Sequence, residues 1–187
     1  MKLSVLRVAL FGFESTGKSR LAEYLSAHFA EPWAPEFVRG FWEERAGVIK
    51  AEDLETIGRG QAELEDAAAS RARRVVFCDT ELLSCTLWND LLFPAACPPW
   101  VRAEAERRAH GYALYLLCEA DVPFAPDPQR CFPAADDRAR LSVRWREALL
   151  HRGLPLVELR GTWTERQAAA IAAVDRLLGV VDTGGSR

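Results

Sequence analysis

The chain has 187 residues, of which 49 % are apolar and 27 % charged, and its net charge is −3. That length and balance suit one globular domain with a substantial core. No basic run marks a nucleic-acid footprint and no apolar stretch reaches membrane-spanning length, so neither partner is expected.

The first predicted element is the apolar run Val5–Phe11, read as a buried strand. Arg7 interrupts it, and the next motif falls where a cleavage site would lie. It is therefore not read as a signal peptide, and a cytoplasmic protein is expected. Gly12-Phe13-Glu14-Ser15-Thr16-Gly17-Lys18-Ser19 then matches the phosphate-loop pattern G-x-x-x-x-G-K-[ST]. Gly12 and Gly17 let the backbone turn tightly, so that N–H groups along Glu14, Ser15 and Thr16 meet phosphate oxygens. A helix opening at Lys18 adds its positive end. Lys18 reaches the terminal phosphates and the Ser19 hydroxyl ligates Mg²⁺, so ATP and Mg²⁺ are the expected cofactors. Glu14 is out of character in an anion site. Its side chain must point away from phosphate, toward an acceptor hydroxyl or a neighbouring cation.

Leu21, Tyr24, Leu25, His28 and Phe29 form a helical stripe after the loop. A weaker strand is expected over Trp33–Val38, where Pro32 and Pro35 suit only an edge. Glu36 and Arg39 flank Phe37-Val38, a pair that follows the weak strand. A carboxylate there can bind sugar hydroxyls and an arginine can bind phosphate, although the same spacing also suits a surface ion pair. Leu54, Ile57, Gln61, Leu64 and Ala68 predict the next helix. The strand Val75–Cys78 follows and delivers Asp79 to its carboxyl end, where ligands bind in parallel sheets. Asp79 can orient Mg²⁺, accept the acceptor's proton, or cap the following helix.

That helix is marked by Leu82, Leu83, Thr86 and Leu87, and Pro99 opens another running to about His110. Tyr112–Cys118 is the third clear strand. Residues 119–137, with Pro123, Pro126, Pro128 and Pro133, lack periodicity and read as a lid. Phe124, Asp127, Arg130 and Arg138 lie in or beside it, and arginines in a closing lid stabilise charge on a transferring phosphoryl group. Leu141, Trp145, Ala148 and Leu149 predict a helix stopped by Gly153. Pro155–Leu159 is the last strand. Thr162 and Glu165 form a capping box ahead of Ile171, Val174, Leu177 and Leu178. Residues 180–187 read as a frayed tail.

Cys78, Cys85, Cys97, Cys118 and Cys131 contain no C-x-x-C pair, and His28, His110 and His151 are scattered, so reduced thiols and no protein-held metal cluster are expected. Alternating strands and helices predict an α/β doubly wound parallel sheet in one domain, 1–179, with a lid at about 119–138.

Together these motifs resemble the nicotinamide riboside kinase domain of the bacterial multifunctional NAD-biosynthesis regulator and its stand-alone AAA-like P-loop ATPase relatives. That family's G-x-E-S-[ST]-G-K-[ST] is matched at Gly12–Ser19, and its E-[YF]-x-R at Glu36–Arg39. Its D-L-x-x-I-x-x-G-Q helix is matched at Asp53–Gln61, its F-x-D-T strand end at Phe77–Thr80, and its D-x-P-[WF]-x-x-D-x-x-R lid at Asp121–Arg130. The resemblance implies a P-loop NTPase of nucleoside- or nucleotide-kinase type that phosphorylates nicotinamide riboside on its 5′-hydroxyl. It implies catalytic roles for Lys18, Asp79, Glu36 and Arg130, and a donor site at Gly12–Ser19 with Arg138. Glu36, Phe37, Arg39, Asp79, Phe124 and Asp127 would then face the acceptor. The chain has no room for the regulator's DNA-binding and adenylyltransferase parts. Pro35 stands where an aromatic neighbour of Glu36 is expected, leaving Trp33, Phe37, Trp88 and Phe124 as candidate ring platforms. A kinase for another nucleoside and a regulatory NTPase are the alternative functions.

Overall fold

The computed structural model describes residues 5–184. Five parallel strands form one sheet: β1 (Leu6–Phe11), β2 (Trp33–Ala34), β3 (Val75–Asp79), β4 (Leu114–Cys118) and β5 (Leu156–Leu159), in the order β2-β3-β1-β4-β5. Seven helices surround them: α1 (Lys18–Phe29), α2 (Phe37–Glu44), α3 (Leu54–Arg71), α4 (Leu82–Leu92), α5 (Pro99–Ala109), α6 (Ala135–Leu150) and α7 (Trp163–Gly184). A single 3₁₀ turn, Ala51–Asp53, leads into α3.

The central strands are apolar on both faces because both faces are covered. Val8, Leu10, Val75, Phe77, Leu114 and Leu116 point to one side, against Leu21, Leu25 and Phe29 of α1 and Ala170 and Val174 of α7. Ala9, Phe11, Val76, Cys78, Tyr115 and Leu117 point to the other, against Ala68 of α3 and Leu141, Trp145 and Leu149 of α6. This is the expected doubly wound arrangement.

The register places the chemistry. Leu10 pairs with Asp79 and Phe11 with Leu117, so the carboxyl ends of β1, β3 and β4 finish level beneath the phosphate loop. The Thr80 N–H donates to the Leu10 carbonyl at 3.2 Å, fastening the strand ends together.

Three expectations are revised. The weak strand shrinks to the edge pair Trp33–Ala34, and Phe37 already begins α2, because the prolines leave little backbone free for a ladder. The lid ends at residue 134, since α6 starts at Ala135 and takes Arg138 into its first turn. The last helix is drawn through Gly184, so residues 180–184 of the expected tail are helical in backbone, and 185–187 lie outside the described residues. The Thr162–Glu165 capping box forms as expected, with the Thr162 N–H donating to Glu165 at 2.7 Å. Among the described residues no helix is long and apolar enough to cross a membrane.

Candidate functional site

The phosphate loop is built by close approach. A Cβ on Gly12, whose φ is +139°, would collide with the Cys118 carbonyl oxygen at the end of β4, so no other residue fits there. Phe13 is fully buried, stacked on Trp88 at 5.1 Å between ring centroids and edge-on to Trp145 at 4.9 Å. That anchor fixes the loop to the core. Gly17 caps α1 in the left-handed region, and the Lys18 Nζ donates to the Phe13 carbonyl at 2.7 Å. The Thr16 hydroxyl donates to the same oxygen at 2.9 Å.

Glu14 turns away from the phosphate position, as its charge demands. Its hydrogen-bond partners are backbone donors, the N–H groups of Phe132 at 2.6 Å and Cys131 at 3.1 Å, and its charge also acts on the neighbouring Arg138 guanidinium. Ser15 also serves the lid. Its hydroxyl oxygen accepts the Ala125 N–H at 2.9 Å and an Arg130 N–H at 3.3 Å, and Arg130 also donates to the Ala125 carbonyl. Residues 125–132 thus rest on the phosphate loop.

Asp79 is only 2 % exposed at the end of β3, with Oδ1 buried and unpartnered. Burial first, then the nearby Glu36 charge, push its carboxyl up to about 6, while Lys18 and the Ser19 hydroxyl pull the other way. It does not cap the next helix. Glu81 does, accepting the N–H groups of Leu83 at 2.7 Å and Ser84 at 2.9 Å, which leaves Asp79 free for a ligand. A buried, unsatisfied carboxylate oxygen beside a hydroxyl is a donor set suited to a hard cation, so these residues fit Mg²⁺.

Glu36 stands at the N-terminus of α2, where its carboxylate accepts the Thr80 hydroxyl at 3.4 Å. Arg39 does not pair with it as a surface ion pair would. It crosses to the lid and meets Asp127 at 3.1 Å, which, with the Gln129 N–H as the larger influence, holds the Asp127 carboxyl below its usual range. Gln61 organises this side from beneath. Its Oε1 accepts the Phe37 N–H at 2.9 Å, and its amide donates to the Thr80 carbonyl at 3.5 Å. The neighbouring Gly60 leaves the space that the Phe37 ring fills.

A cavity of about 530 Å³ runs from the loop to the α2–α4 side. Glu14, Ser15, Lys18, Ser19, Glu36, Arg39, Asp127 and Arg130 line its polar end. Trp42, Ile49, Leu54, Leu92 and Phe93 add an apolar part of the lining, and Trp88, stacked on Phe13 of the loop, lines it as well. Of the candidate ring platforms, Trp88 faces this cavity. Phe37 instead packs on Gly60 and Phe41, Trp33 packs on the core beside α1, and Phe124 lies near the guanidiniums of Arg130 and Arg138. Trp42 was not foreseen, because residues 39–44 were assigned to no element and only Phe37 and Val38 of this helix fell in the expected strand. Arg166 was also missed. It lies 2 % exposed on α7 and donates to the Thr16 and Glu119 carbonyls at 3.3 and 3.0 Å, with no sequence signal beyond a polar position on an apolar stripe.

Known proteins share this fold. The trifunctional NAD biosynthesis/regulator protein NadR of Salmonella typhimurium is 26 % identical over 160 residues, which cover 83 % of this chain and 38 % of that protein. NadR of Escherichia coli is 28 % identical over 138 residues, 72 % of this chain and 33 % of that protein. The chain thus spans little more than a third of the length of these curated relatives. The NadR protein solved in complex with NR superposes with a TM-score of 0.72 at 21 % identity, covering 95 % of this chain and 53 % of that one. Deoxyadenosine kinase from M. mycoides with bound dATP superposes with a TM-score of 0.62 at 9 % identity, covering 91 % and 99 %. These likenesses agree on a P-loop nucleoside-kinase fold. The profile of the AAA domain matches residues 7–166, and the chain belongs to that family.

Proposed function

We propose that this chain is an ATP- and Mg²⁺-dependent kinase that phosphorylates the 5′-hydroxyl of a ribonucleoside, with nicotinamide riboside as the first-choice acceptor. One observation carries the reading: the Glu36 carboxylate lines the cavity beside Lys18 and Ser19, and a second carboxylate, Asp79, buried next to the lining residue Thr80, lies close enough to feel the Glu36 and Lys18 charges. A nucleotide switch needs one metal-orienting acid there, whereas a kinase needs a second for its acceptor.

Roles follow from placement. The loop N–H groups and Lys18 hold the donor phosphates, with Lys18 exchanging the Phe13 carbonyl for a phosphate oxygen. Ser19 and the unpartnered Oδ1 of Asp79 would hold Mg²⁺, which when bound neutralises charge on the phosphates. Glu36 lines the open cavity and is assigned to the acceptor hydroxyl. The hydroxyl oxygen attacks the γ-phosphorus in line, the bond to the bridging oxygen breaks, and the proton passes to Glu36. Arg130 in the docked lid faces the same space and is placed to stabilise the transferring group. The ring of the acceptor is assigned to the apolar lining that includes Trp42 and Trp88, which suits a flat base such as nicotinamide. The same apolar lining admits other flat bases, which makes a different nucleoside the second reading.

The test is direct. The protein is incubated with Mg·ATP and a panel of nicotinamide riboside, adenosine, guanosine, cytidine and thymidine, and phosphorylated product is measured against Lys18→Ala. Product from nicotinamide riboside, lost in Lys18→Ala, supports the reading. Product from another nucleoside alone reassigns the acceptor. A folded protein that binds an ATP analogue and phosphorylates nothing overturns the kinase.

A further inference from the structure

We propose that Arg138 and Arg166 are positioning residues of the donor site, two buried guanidiniums that hold the carbonyl face of the phosphate loop so that its N–H face stays turned to the phosphates. The proposal rests only on the nucleotide-binding half of the reading above.

The two side chains come from different helices and grip consecutive peptides. Arg138, 4 % exposed on the first turn of α6, donates to the Ser15 carbonyl and to the Val122 carbonyl, both at 3.1 Å. Arg166, on α7, donates to Thr16, to Glu119 at the end of β4, and to the Gly161 carbonyl at 3.0 Å. Each arginine therefore joins the loop to a root of the lid, at residues 119 and 122. A peptide whose oxygen is engaged by a cation is polarised, and its own N–H becomes a better donor. The peptides in question carry the N–H groups of Thr16 and Gly17, which in a loop of this pattern face phosphate.

Charge separates the two arginines. Arg166 has a carboxylate partner, Asp121, so its burial is compensated. Arg138 makes no ion pair among the described residues, and its Nε is buried without a partner. A guanidinium buried without an ion-pair partner is costly, and burial lowers its pKa, an effect that the nearby Glu14 charge opposes and Arg130 reinforces. An anion on the loop would offset that cost, and a polyphosphate is the anion this loop is shaped for. Arg138 contributes its field without leaving α6, whereas Arg130 reaches the site from the lid.

The experiment measures equilibrium binding of an ATP analogue, ADP and AMP, each with Mg²⁺, to wild-type protein, Arg138→Met, Arg138→Lys and Arg166→Met. Circular dichroism and thermal melts run alongside, and nicotinamide riboside binding is the control for the acceptor side. Arg138→Met keeps the stem and removes a charge that lacks a carboxylate partner, so the fold survives. We expect it to weaken the ATP analogue about tenfold or more, ADP less, and AMP and nicotinamide riboside about twofold at most. Arg138→Lys should not restore binding, because one ammonium does not span both carbonyls. A purely structural role would weaken AMP and ATP alike, and that result overturns the proposal. Unchanged affinities, or full rescue by lysine, also overturn it. Wild-type protein that binds no nucleotide overturns the donor site itself, whereas failure to phosphorylate any acceptor leaves these binding results standing.

Discussion

The Glu14 carboxylate, inside a loop made to bind anions, accepts the backbone N–H of Phe132 at 2.6 Å across 118 positions of chain. Together with its bond to Cys131 it makes the phosphate loop the seat of the lid. Glu14→Ala removes both acceptors and leaves two lid N–H groups unpaired. Each lost bond to a carboxylate is worth about 1.5–3 kcal/mol of local stability. Amide exchange over residues 125–132 should therefore accelerate at least about tenfold in the free protein. Exchange that stays at the wild-type rate would show that the lid is held by other contacts.

Asp79 and Glu36 should separate kinetically. Asp79→Asn weakens an interaction that matters most as charge develops, so kcat should fall by about 10² or more. Glu36→Gln should lower kcat and also raise the acceptor KM, with ATP affinity nearly unchanged. Burial pushes the metal-free Asp79 carboxyl up to about 6, and it must ionise to take Mg²⁺, so at sub-saturating Mg²⁺ activity should fall as pH drops through about 6. That limb should vanish from the residual activity of Asp79→Asn. A rate profile flat from pH 5 to 8 in the wild type would refute the assignment.

Gly60→Ala places a methyl group inside the Phe37 ring. Phe37 begins α2 and its N–H is held by Gln61, so the ring has little room to retreat. Overpacking of this kind costs about 1–3 kcal/mol, and each kcal/mol lowers Tm by about 2–4 °C at this size. The acceptor KM should rise with the loss of stability, since Glu36 precedes Phe37 directly. Melting and kinetics on the one variant test both. A wild-type Tm would mean that α2 shifts freely.

Burial raises Glu81 to about 8 and Glu65 to about 7, both above the 4.5 of an ordinary glutamate. The folded state therefore holds more protons than the unfolded state between those limits. Their contribution to stability is full below about 4.5 and is lost as pH rises through 7 to 8. Tm should decline over that window, and Glu81→Gln, which keeps an acceptor for the α4 cap, should flatten the decline. A slope that is identical in the variant would mean that Glu81 is not the group titrating.

The order of strands and helices, the phosphate loop, and the lone acid after β3 were legible because each is local. Apolar runs, a glycine spacing and a capping pair are properties of contiguous residues, and each needs only its neighbours. What the fold alone decided are contacts between distant segments. No periodicity places Glu14 on Cys131 and Phe132, Arg39 on Asp127, or Arg166 on Thr16, because those distances are set by how helices α6 and α7 and the lid close over the strand ends. The edge strand was over-read for the same reason. Local propensity favours extension around Trp33–Val38, but the only ladder available there is one side of β3, and beyond Ala34 the Gln61 amide holds the first turn of α2 instead. Trp42, beyond the expected strand, reaches the cavity wall because Phe37 already begins a helix there.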